Sequence, residues 1–394
     1  MGKDTVTVDS TDGRKPSVCI VAHLAYGELA GLTTGHVGGV EHQTSLMARW
    51  LAAHGYRVSL LTWNEGQPDG VEIDGVRNFK LCASDAGIRG LRFVHPRWTS
   101  LNQAMRRADA ELYYHNCGEY VTGQVAHWCM RHRRRFVYSV ASDPDCDPRL
   151  PHMRTVRERV LYRYGLFHAN RIVVQTLAQQ RMLRDGFGLE SLLIPMPCAG
   201  PQLEAVRTND SQGRASSRVA WVGRISEEKR PEWLIEVARR LPEITFDVVG
   251  AVNRESNYTR RVLDDLRALP NVVIHGRVPR ERMPEVYGTL ACLLSTSAFE
   301  GFPNTFLEAW SHGVPVVSTI DPDRLIANRG LGFTANNLPE LIDGLKKILS
   351  SQARWCDASK SARRYYAENH AIDVVMPRVE QLFLGVTGRL AAST

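Results

Sequence analysis

The sequence predicts an α/β protein built from two doubly wound parallel sheets, each covered by helices on both faces. Short apolar runs alternate with helical stretches through most of the 394 residues, which is the pattern of βαβ units. The alternation stops at the proline-rich run 194–201 and the polar stretch 208–217, and then starts again. We therefore predict one domain over 1–196, a second over 197–371 and a last helix within 372–394.

The first half begins with a predicted strand over 17–23. A helix over 41–54 follows, and Gly55 ends it in the position that favours glycine. Further strands are predicted at 57–62, 111–114, 136–140 and 171–175, with helical segments between them. Because ligands of open α/β sheets bind at the carboxyl ends of the strands, the loops that follow these strands are the candidate sites.

The second half repeats this pattern. Strands are predicted at 218–222, 245–249, 271–275, 291–295 and 314–318, with helices over 231–241 and from about residue 304. An amphipathic helix over 372–384 completes the chain. Two such sheets that face each other would enclose one cleft between the domains.

Composition excludes several classes of protein. With 43% hydrophobic and 23% charged residues and a net charge of +7, the chain is neither disordered nor fibrous. No apolar run approaches the roughly 18 residues that span a bilayer. The polar start lacks the apolar segment of a secretory signal, and the eight cysteines form no C-x-x-C pair. We expect a cytoplasmic protein with reduced thiols and no zinc site.

Positive charge is concentrated between residues 86 and 185, which contain 17 Lys and Arg against 8 Asp and Glu. Three interpretations compete: a solvated face, a surface for an anionic membrane or substrate, and a nucleic-acid footprint. No zinc finger, RNP motif or basic zipper accompanies the charge, so we expect no nucleic-acid partner. The first two interpretations stay open.

The strongest local motif is a pair of carboxylates with seven residues between them. Glu300 follows a predicted strand, and Glu308 lies one turn into the next helix, on the same face as Asn304. Pro303 suits the first turn of that helix, and Gly301 lets the backbone approach a ligand closely. Carboxylates that accept hydroxyl hydrogens, beside the free N–H groups of a helix start, favour a sugar phosphate. The spacing alone also fits a loop acid and an exposed helix acid.

Two glycine-containing loops could hold phosphate. Gly223 and Arg224 follow the strand 218–222, and Lys229 lies five residues further on, so the loop could neutralise a diphosphate. A solvated basic turn would look the same, and the P-loop pattern is absent. Gly38 and Gly39 open the first long helix without a complete G-x-G-x-x-G fingerprint. A nicotinamide-dependent dehydrogenase is therefore disfavoured.

Two further polar residues follow strands of the first half. His115 comes directly after the run ELYY, where it could hydrogen-bond a hydroxyl or polarise a reacting group. Asp143 lies in the sequence SDPDCD, whose alternating prolines favour a turn over a metal site. Both are candidates for the acceptor side, and a structural role is the alternative for each.

Taken together, these motifs resemble those of the retaining GT-B glycosyltransferases of family 4. The resemblance rests on GGVE at 38–41, GRISEEK at 223–229 and EGFPNTFLEAWSHGVPVVST at 300–319, in this order. It implies two Rossmann-like domains that face an interdomain cleft, with the nucleotide-sugar donor held mainly by the C-terminal domain. It also implies that the last helix crosses back to the first domain.

The resemblance further implies roles for individual residues. Glu300 would bind hydroxyls of the donor sugar, Glu308 would bind the ribose, and Arg224 and Lys229 would neutralise the leaving diphosphate. His115 matches a histidine that lies near the sugar. Other donor contacts would come from Gly38, Gly39, Gly301, Phe302, Pro303 and Asn304, and, near the base, from Arg277 and Val278.

The expected function is transfer of a hexosyl-type sugar from a UDP or GDP sugar to a saccharide or lipid-linked acceptor, in polysaccharide or glycoconjugate synthesis. No metal and no cofactor are expected, because two cations and helix N–H groups would stabilise the leaving diphosphate. Peripheral contact with the cytoplasmic face of an anionic membrane is a hypothesis drawn from the basic segment. The alternative is a non-catalytic module that binds nucleotide sugars or glycans on the same fold.

Overall fold

The computed structural model describes residues 14–32, 38–201, 217–252 and 255–389. It confirms the predicted fold class, because the chain forms two separate, mainly parallel sheets with helices on both faces. The first sheet has eight strands and lies before residue 194, and the second has six strands and begins at residue 218.

The first sheet has the strand order β3-β4-β2-β1-β5-β6-β7-β8. Its strands are β1 (Val18–Val21), β2 (Val58–Thr62), β3 (Val71–Ile73), β4 (Val76–Lys80), β5 (Leu112–Asn116), β6 (Arg135–Ser139), β7 (Arg171–Val174) and β8 (Leu192–Leu193). All neighbours are parallel except β3 and β4, which form an antiparallel hairpin at the edge. The helices of this half are α1 (Tyr26–Leu29), α2 (Gly39–Ala53), α3 (Thr99–Ala108), α4 (Tyr120–Arg131), α5 (Val156–His168) and α6 (Leu177–Phe187).

The second sheet is parallel throughout, in the order β11-β10-β9-β12-β13-β14. Its strands are β9 (Arg218–Val222), β10 (Thr245–Val249), β11 (Val272–Gly276), β12 (Cys292–Ser295), β13 (Val316–Ser318) and β14 (Gly332–Thr334). The helices of this half and of the chain end are α7 (Pro231–Arg240), α8 (Asn257–Arg267), α9 (Met283–Tyr287), α10 (Asn304–Ser311), α11 (Leu325–Arg329), α12 (Leu338–Ser350), α13 (Gln352–Asn369) and α14 (Ile372–Val386).

Burial of both sheet faces explains the continuous apolar strands. In β1, Cys19 and Val21 belong to the core on one face of the first sheet, whereas Val18 and Ile20 belong to the core on the other face. Because successive side chains of a strand point to opposite faces, helices on both sides require an apolar residue at every position. The carboxyl ends of the strands are left as the free polar edge.

The last helix packs on the first half of the chain. Met376, Val379 and Phe383 of α14 are buried in the core that contains Met47 and Leu51 of α2. The segment before α14 pairs with the chain between the two sheets through a parallel bridge from Cys198 to Ala371. The end of the chain thus ties the two halves together.

A second connection lies at the start of α6. Asp323, in a short helical turn of the second half, accepts hydrogen bonds from the backbone N–H groups of Leu177 (2.7 Å) and Ala178 (3.0 Å). These groups have no partner within their own helix, so the carboxylate stabilises the helix start. Within the described part of the chain, no helix is long and apolar enough to cross a membrane.

Candidate functional site

Glu300 lies in the loop between β12 and α10, at the carboxyl edge of the second sheet. Its carboxylate forms an ion pair with the Lys229 ammonium group and accepts a hydrogen bond from Ser297 (2.8 Å). Lys229 ends a short helical turn, and its carbonyl accepts a hydrogen bond from the buried Thr296 hydroxyl (2.6 Å). The loops after β9 and β12 are thereby fixed to each other, and two of the predicted site residues come into contact.

Arg224 lies in the same loop as Lys229 but has a different partner. Its guanidinium group is 3.3 Å from the Glu228 carboxylate, and nearly half of the side chain is exposed. No contact described in the structure joins Arg224 to Glu300. The loop therefore presents one cation held against Glu300 and a second, more exposed one beside it.

The N-termini of α2 and α10 face each other across the cleft. Asn304, the first residue of α10, donates a hydrogen bond to the carbonyl of Gly39 (3.0 Å) and accepts one from Gln43 (2.7 Å). A Cβ atom on Gly39 would lie 2.5 Å from the amide nitrogen of Asn304, so a larger residue at this position would displace the Asn304 side chain. Gly38 precedes α2 in an extended conformation, and Pro303 holds the same position before α10. Two helix starts with free N–H groups can stabilise an anion between them.

Gly301 and Phe302 contact the first half directly. A Cβ atom on Gly301 would lie only 2.4 Å from the carbonyl oxygen of Ala141, which follows β6. The backbone N–H of Phe302 donates to the side-chain oxygen of Gln175 (3.3 Å), and the Phe302 ring is buried. The loop that carries Glu300 is thus placed against the carboxyl ends of strands in the first sheet.

Glu308, one turn into α10, belongs to an ion-pair chain that joins the two halves. It accepts hydrogen bonds from Arg280 (2.6 Å) and from the Tyr287 hydroxyl (2.7 Å). The same guanidinium group is 3.1 Å from Glu28 of α1, which is hydrogen-bonded to His42 (2.8 Å). We call these groups the Glu28–Arg280–Glu308 ion-pair chain.

Electrostatic shifts follow from this arrangement. Burial alone would lower the pKa of Arg280, but the carboxylates of Glu308 and Glu28 raise it above its ordinary value. Burial alone would raise the pKa of Glu28, but the hydrogen bond with His42 and the charge of Arg280 lower it. Arg280 was not among the predicted site residues. Its position in the loop after β11 was the available signal, since Arg277 and Val278 were selected from that loop.

Arg277 and Val278 lie at the carboxyl end of β11. Arg277 donates a hydrogen bond to the carbonyl of Leu32 in the first half (3.3 Å), and Val278 packs against the core that contains Trp310. Both residues lie on the same sheet edge as Arg280. The loop after β11 therefore contributes one basic contact to the first half as well as the arginine of the ion-pair chain.

His115 is the fourth residue of β5, inside the strand rather than after it as the sequence predicted, and it is buried in the first half. Its Nδ1 lies 2.8 Å from the carbonyl oxygen of Val21, which fixes the proton on Nδ1 and leaves Nε2 as an acceptor. Burial lowers the pKa of His115 to about 4, although the bond to Val21 opposes the shift, so the ring is neutral at pH 7. Asp143 accepts a hydrogen bond from Gln179 (3.0 Å) within a helical turn over Asp143–Cys146.

The residues described in the structure include no group of three or more His, Cys, Asp or Glu side chains placed to hold a metal ion. The arrangement offers instead a carboxylate beside a lysine, two opposed helix starts, and a neutral histidine on the first sheet. These groups can accept hydrogen bonds from hydroxyls and stabilise negative charge. Such chemistry suits a ligand that carries both a sugar and a phosphate.

Two protein-family models match the chain. The model described as glycosyl transferases group 1 matches residues 216–351, and the glycosyl transferase 4-like domain matches residues 38–199. One curated relative is the UDP-N-acetylglucosamine–peptide N-acetylglucosaminyltransferase GtfA subunit of Streptococcus pneumoniae, 27% identical over 165 residues, or 40% of this chain and 32% of the relative. The chain spans about a third of the length of the first curated relatives that it matches.

Longer matches come from a further relative and from solved structures. The D-inositol 3-phosphate glycosyltransferase of Mycobacteroides abscessus is 25% identical over 349 residues, covering 77% of this chain and 74% of the relative. Sucrose-phosphate synthase from Thermosynechococcus elongatus has a TM-score of 0.77 at 18% identity, over 95% of this chain and 100% of that one. Anabaena HepE, in complex with UDP and glucose, has a TM-score of 0.73 at 17% identity, over 93% and 99%.

Proposed function

Because the chain belongs to the family 4, or group 1, glycosyltransferases with the GT-B fold, we propose that it transfers a hexosyl-type sugar from a UDP or GDP sugar to a saccharide or lipid-linked acceptor, with retention of the anomeric configuration. A role in polysaccharide or glycoconjugate synthesis follows from such an acceptor. One observation carries the proposal: the pair of Lys229 and Glu300 lies at the carboxyl edge of the second sheet, next to the start of α10, and that helix start is hydrogen-bonded to the start of α2 in the first half.

The proposed roles follow from the charge that develops in the reaction. Breaking the bond between the anomeric carbon and the diphosphate places positive charge on the sugar and negative charge on the leaving group. Lys229 and Arg224 would stabilise the diphosphate, Glu300 would bind sugar hydroxyls, and Glu308 would bind the ribose. Loss of one preorganised group that stabilises the developing charge costs about 10²–10³ in turnover.

The experiment is calorimetric titration of the protein with UDP, GDP, ADP and their common sugar conjugates, without and then with Mg²⁺. We expect one diphosphate to bind, and Lys229→Ala to weaken its binding at least tenfold. Lys346→Ala is the matched control, because Lys346 is an exposed lysine of α12 in the same half. If no nucleotide binds the unaltered protein, the proposed donor site is wrong. Binding without sugar transfer or donor hydrolysis would favour a non-catalytic binding module.

We also propose that the first half contacts an anionic membrane. Val156 and Val160 of α5 are 75% and 59% exposed, and Ile88 is 74% exposed. The guanidinium group of Arg157 lies 3.9 Å from the ring centre of Phe93, so α5 and the segment that follows Ile88 share one surface. Exposed apolar side chains among arginines suit the interface of an anionic bilayer, where each Lys or Arg contributes about 1 kcal/mol.

Flotation with vesicles of phosphatidylglycerol and phosphatidylcholine tests this second proposal. We expect binding that requires phosphatidylglycerol, weakens with salt and falls at least fivefold in Val156→Glu/Val160→Glu. The matched control is Leu192→Glu, which adds a charge at an exposed leucine of strand β8. If the protein does not bind these vesicles, or if its binding does not weaken with salt, the membrane proposal is wrong. Neither result would bear on the proposed donor site.

A further inference from the structure

Three titratable side chains meet on the first half, beside the donor loop. Glu119 precedes α4, and one of its carboxylate oxygens lies 3.6 Å from Nε2 of His115 and 3.8 Å from Nδ1 of His23. About a third of the Glu119 side chain is exposed, whereas both histidines are buried. The cluster therefore has one open side, formed by the carboxylate.

Two nitrogen atoms of this cluster are buried without a partner. Within the described residues, Nε2 of His115 and Nε2 of His23 have no hydrogen-bond partner. The His115 ring is 2% exposed, and because its Nδ1 is fixed by the carbonyl of Val21, Nε2 is an acceptor that faces Glu119. Leaving a buried polar atom unpaired costs about 1–3 kcal/mol, so such atoms point to a polar ligand.

The charge of the cluster favours an uncharged ligand. Burial and the negative charges of Asp145 and Glu41 raise the pKa of Glu119 to about 7. Burial, the neighbouring His115 and the nearby Arg97 guanidinium group lower the pKa of His23 to about 3, so that ring is neutral. The negative charges of these carboxyl groups repel a phosphate, and the carboxylates and the two neutral rings can accept hydrogen bonds from hydroxyl groups.

The cluster is adjacent to the proposed donor site through Asp145, because Gly118, the residue before Glu119, lies so close to the Asp145 carboxylate that a Cβ atom on it would overlap that group. Asp145 accepts hydrogen bonds from the backbone N–H groups of Ala141 (3.3 Å) and Ser142 (3.1 Å). Gly301, the residue after Glu300, approaches Ala141 and Ser142 more closely than it approaches any other residue apart from its chain neighbours. The loop that would hold the donor sugar thus packs against the backbone of residues 141–142, which is hydrogen-bonded to Asp145.

We propose that Glu119, with His115 beside it, binds the reacting hydroxyl of the acceptor, and that this end of the acceptor is an uncharged sugar or cyclitol. The inference rests on the proposed function and names the class of its second substrate. The hydroxyl oxygen forms the new bond to the anomeric carbon while the bond from that carbon to the diphosphate oxygen breaks. The electron pair of the broken bond goes to the diphosphate, and the hydroxyl proton is transferred to the same departing oxygen.

The test measures release of nucleoside diphosphate from the donor that calorimetry selects. The acceptors are glucose, N-acetylglucosamine and myo-inositol, compared with glucose 6-phosphate and N-acetylglucosamine 6-phosphate. We expect at least one uncharged acceptor to raise the release above hydrolysis, and its phosphorylated form to raise it less. Glu119→Ala should raise the acceptor KM about tenfold to a hundredfold, the effect of losing a hydrogen bond to a charged group. Glu119→Gln, which keeps an acceptor oxygen, should restore part of that loss.

The controls separate this inference from the donor site. The dissociation constant of the nucleoside diphosphate should stay within twofold in both Glu119 variants, and Glu190→Ala, at an exposed glutamate of the same half, should change neither constant. A preference for phosphorylated acceptors, no acceleration by any uncharged acceptor, or an unchanged acceptor KM in Glu119→Ala would overturn the inference. If the unaltered protein bound no nucleotide, that result would instead contradict the proposed function.

Discussion

Removing Arg280 should destabilise the protein, because it would leave two carboxylates facing each other. In Arg280→Ala, Glu308 keeps the Tyr287 hydroxyl and Glu28 keeps His42, but the charge between them is lost. Both carboxylates contact the same guanidinium group, at 3.1 Å and 2.6 Å. As an order of magnitude, any two like charges about 6 Å apart repel by about 3 kcal/mol at an effective dielectric constant of about 20. A third of the Arg280 side chain is exposed, so solvent screening lowers the expected loss to about 1–3 kcal/mol.

The assay is urea denaturation followed by tryptophan fluorescence, with the free energy of unfolding compared at one pH. The matched control is Arg282→Ala, two residues along the chain. Arg282 and its partner Glu285 are both more than two-thirds exposed and 3.3 Å apart, so this change should cost less than about 0.5 kcal/mol. If Arg280→Ala lost no more free energy than Arg282→Ala, the ion-pair chain would contribute nothing beyond a surface pair.

The effect of pH gives this prediction a sign. The pKa of Glu28 is lowered in the folded protein, so its ionised form stabilises the fold above the ordinary value of 4.5. That stabilisation is lost as the pH falls through the lowered pKa of the folded state. The difference in unfolding free energy between the unaltered protein and Arg280→Ala should therefore be largest near pH 7 and shrink below about pH 4.5. A difference that grew on acidification would refute the reasoning.

Three further predictions concern the contact between the halves, the last helix and the acceptor side. Gly301→Ala should lower turnover about a hundredfold with little change in nucleotide affinity, because the new Cβ atom would lie 2.4 Å from the carbonyl oxygen of Ala141 and displace the loop by about 1 Å. A variant with the same turnover as the unaltered protein would contradict this prediction. Phe383→Ala should cost about 3–5 kcal/mol of unfolding free energy, because its buried ring packs near Tyr114; a loss below 1 kcal/mol would count against it. The kcat/KM for the acceptor should fall as the pH drops through about 7, because Glu119 becomes protonated there, and Glu119→Gln should remove this inflection. If the unaltered protein and Glu119→Gln had the same pH profile, Glu119 would be excluded as the source of the inflection.

The spacing of apolar residues predicts the long elements, because buried parallel strands are short continuous apolar runs whereas the helices that cover them have apolar residues at helical spacing. The strand starting at Arg218 and the helix starting at Asn304 lie where the pattern placed them. The pattern did not predict the β3–β4 hairpin, although Asp74 and Gly75, both with positive φ, supply a typical hairpin turn. The strands β8 and β14 have only two and three residues, too few for a period to be visible.

Most site residues selected from the sequence share one property: they follow a strand or lie at the start of a helix at the carboxyl edge of a sheet, whereas Glu308 is selected by its spacing from Glu300. That rule selects positions but not partners. It could not pair Glu308 with Arg280, since the two are brought together by packing of α10 against the loop after β11. Glu119, which precedes α4, satisfies the same rule but belongs to no sequence motif, and its raised pKa depends on Asp145, in a turn after β6, and on Glu41, in α2.

The two glutamates of the motif are each matched with one cation, and this limits how a donor could enter. Glu300 is paired with Lys229, and Glu308 shares Arg280 with Glu28, so both carboxylates of the motif have a cation partner. A diphosphate that bound Lys229 would draw its ammonium group away from Glu300, and the freed carboxylate would then accept hydrogen bonds from sugar hydroxyls. Ribose at Glu308 would compete in the same way with Arg280, whose other partner is Glu28 on the first half. Donor binding would thus exchange ion pairs rather than bury isolated charges, and it would alter a contact that joins the two domains.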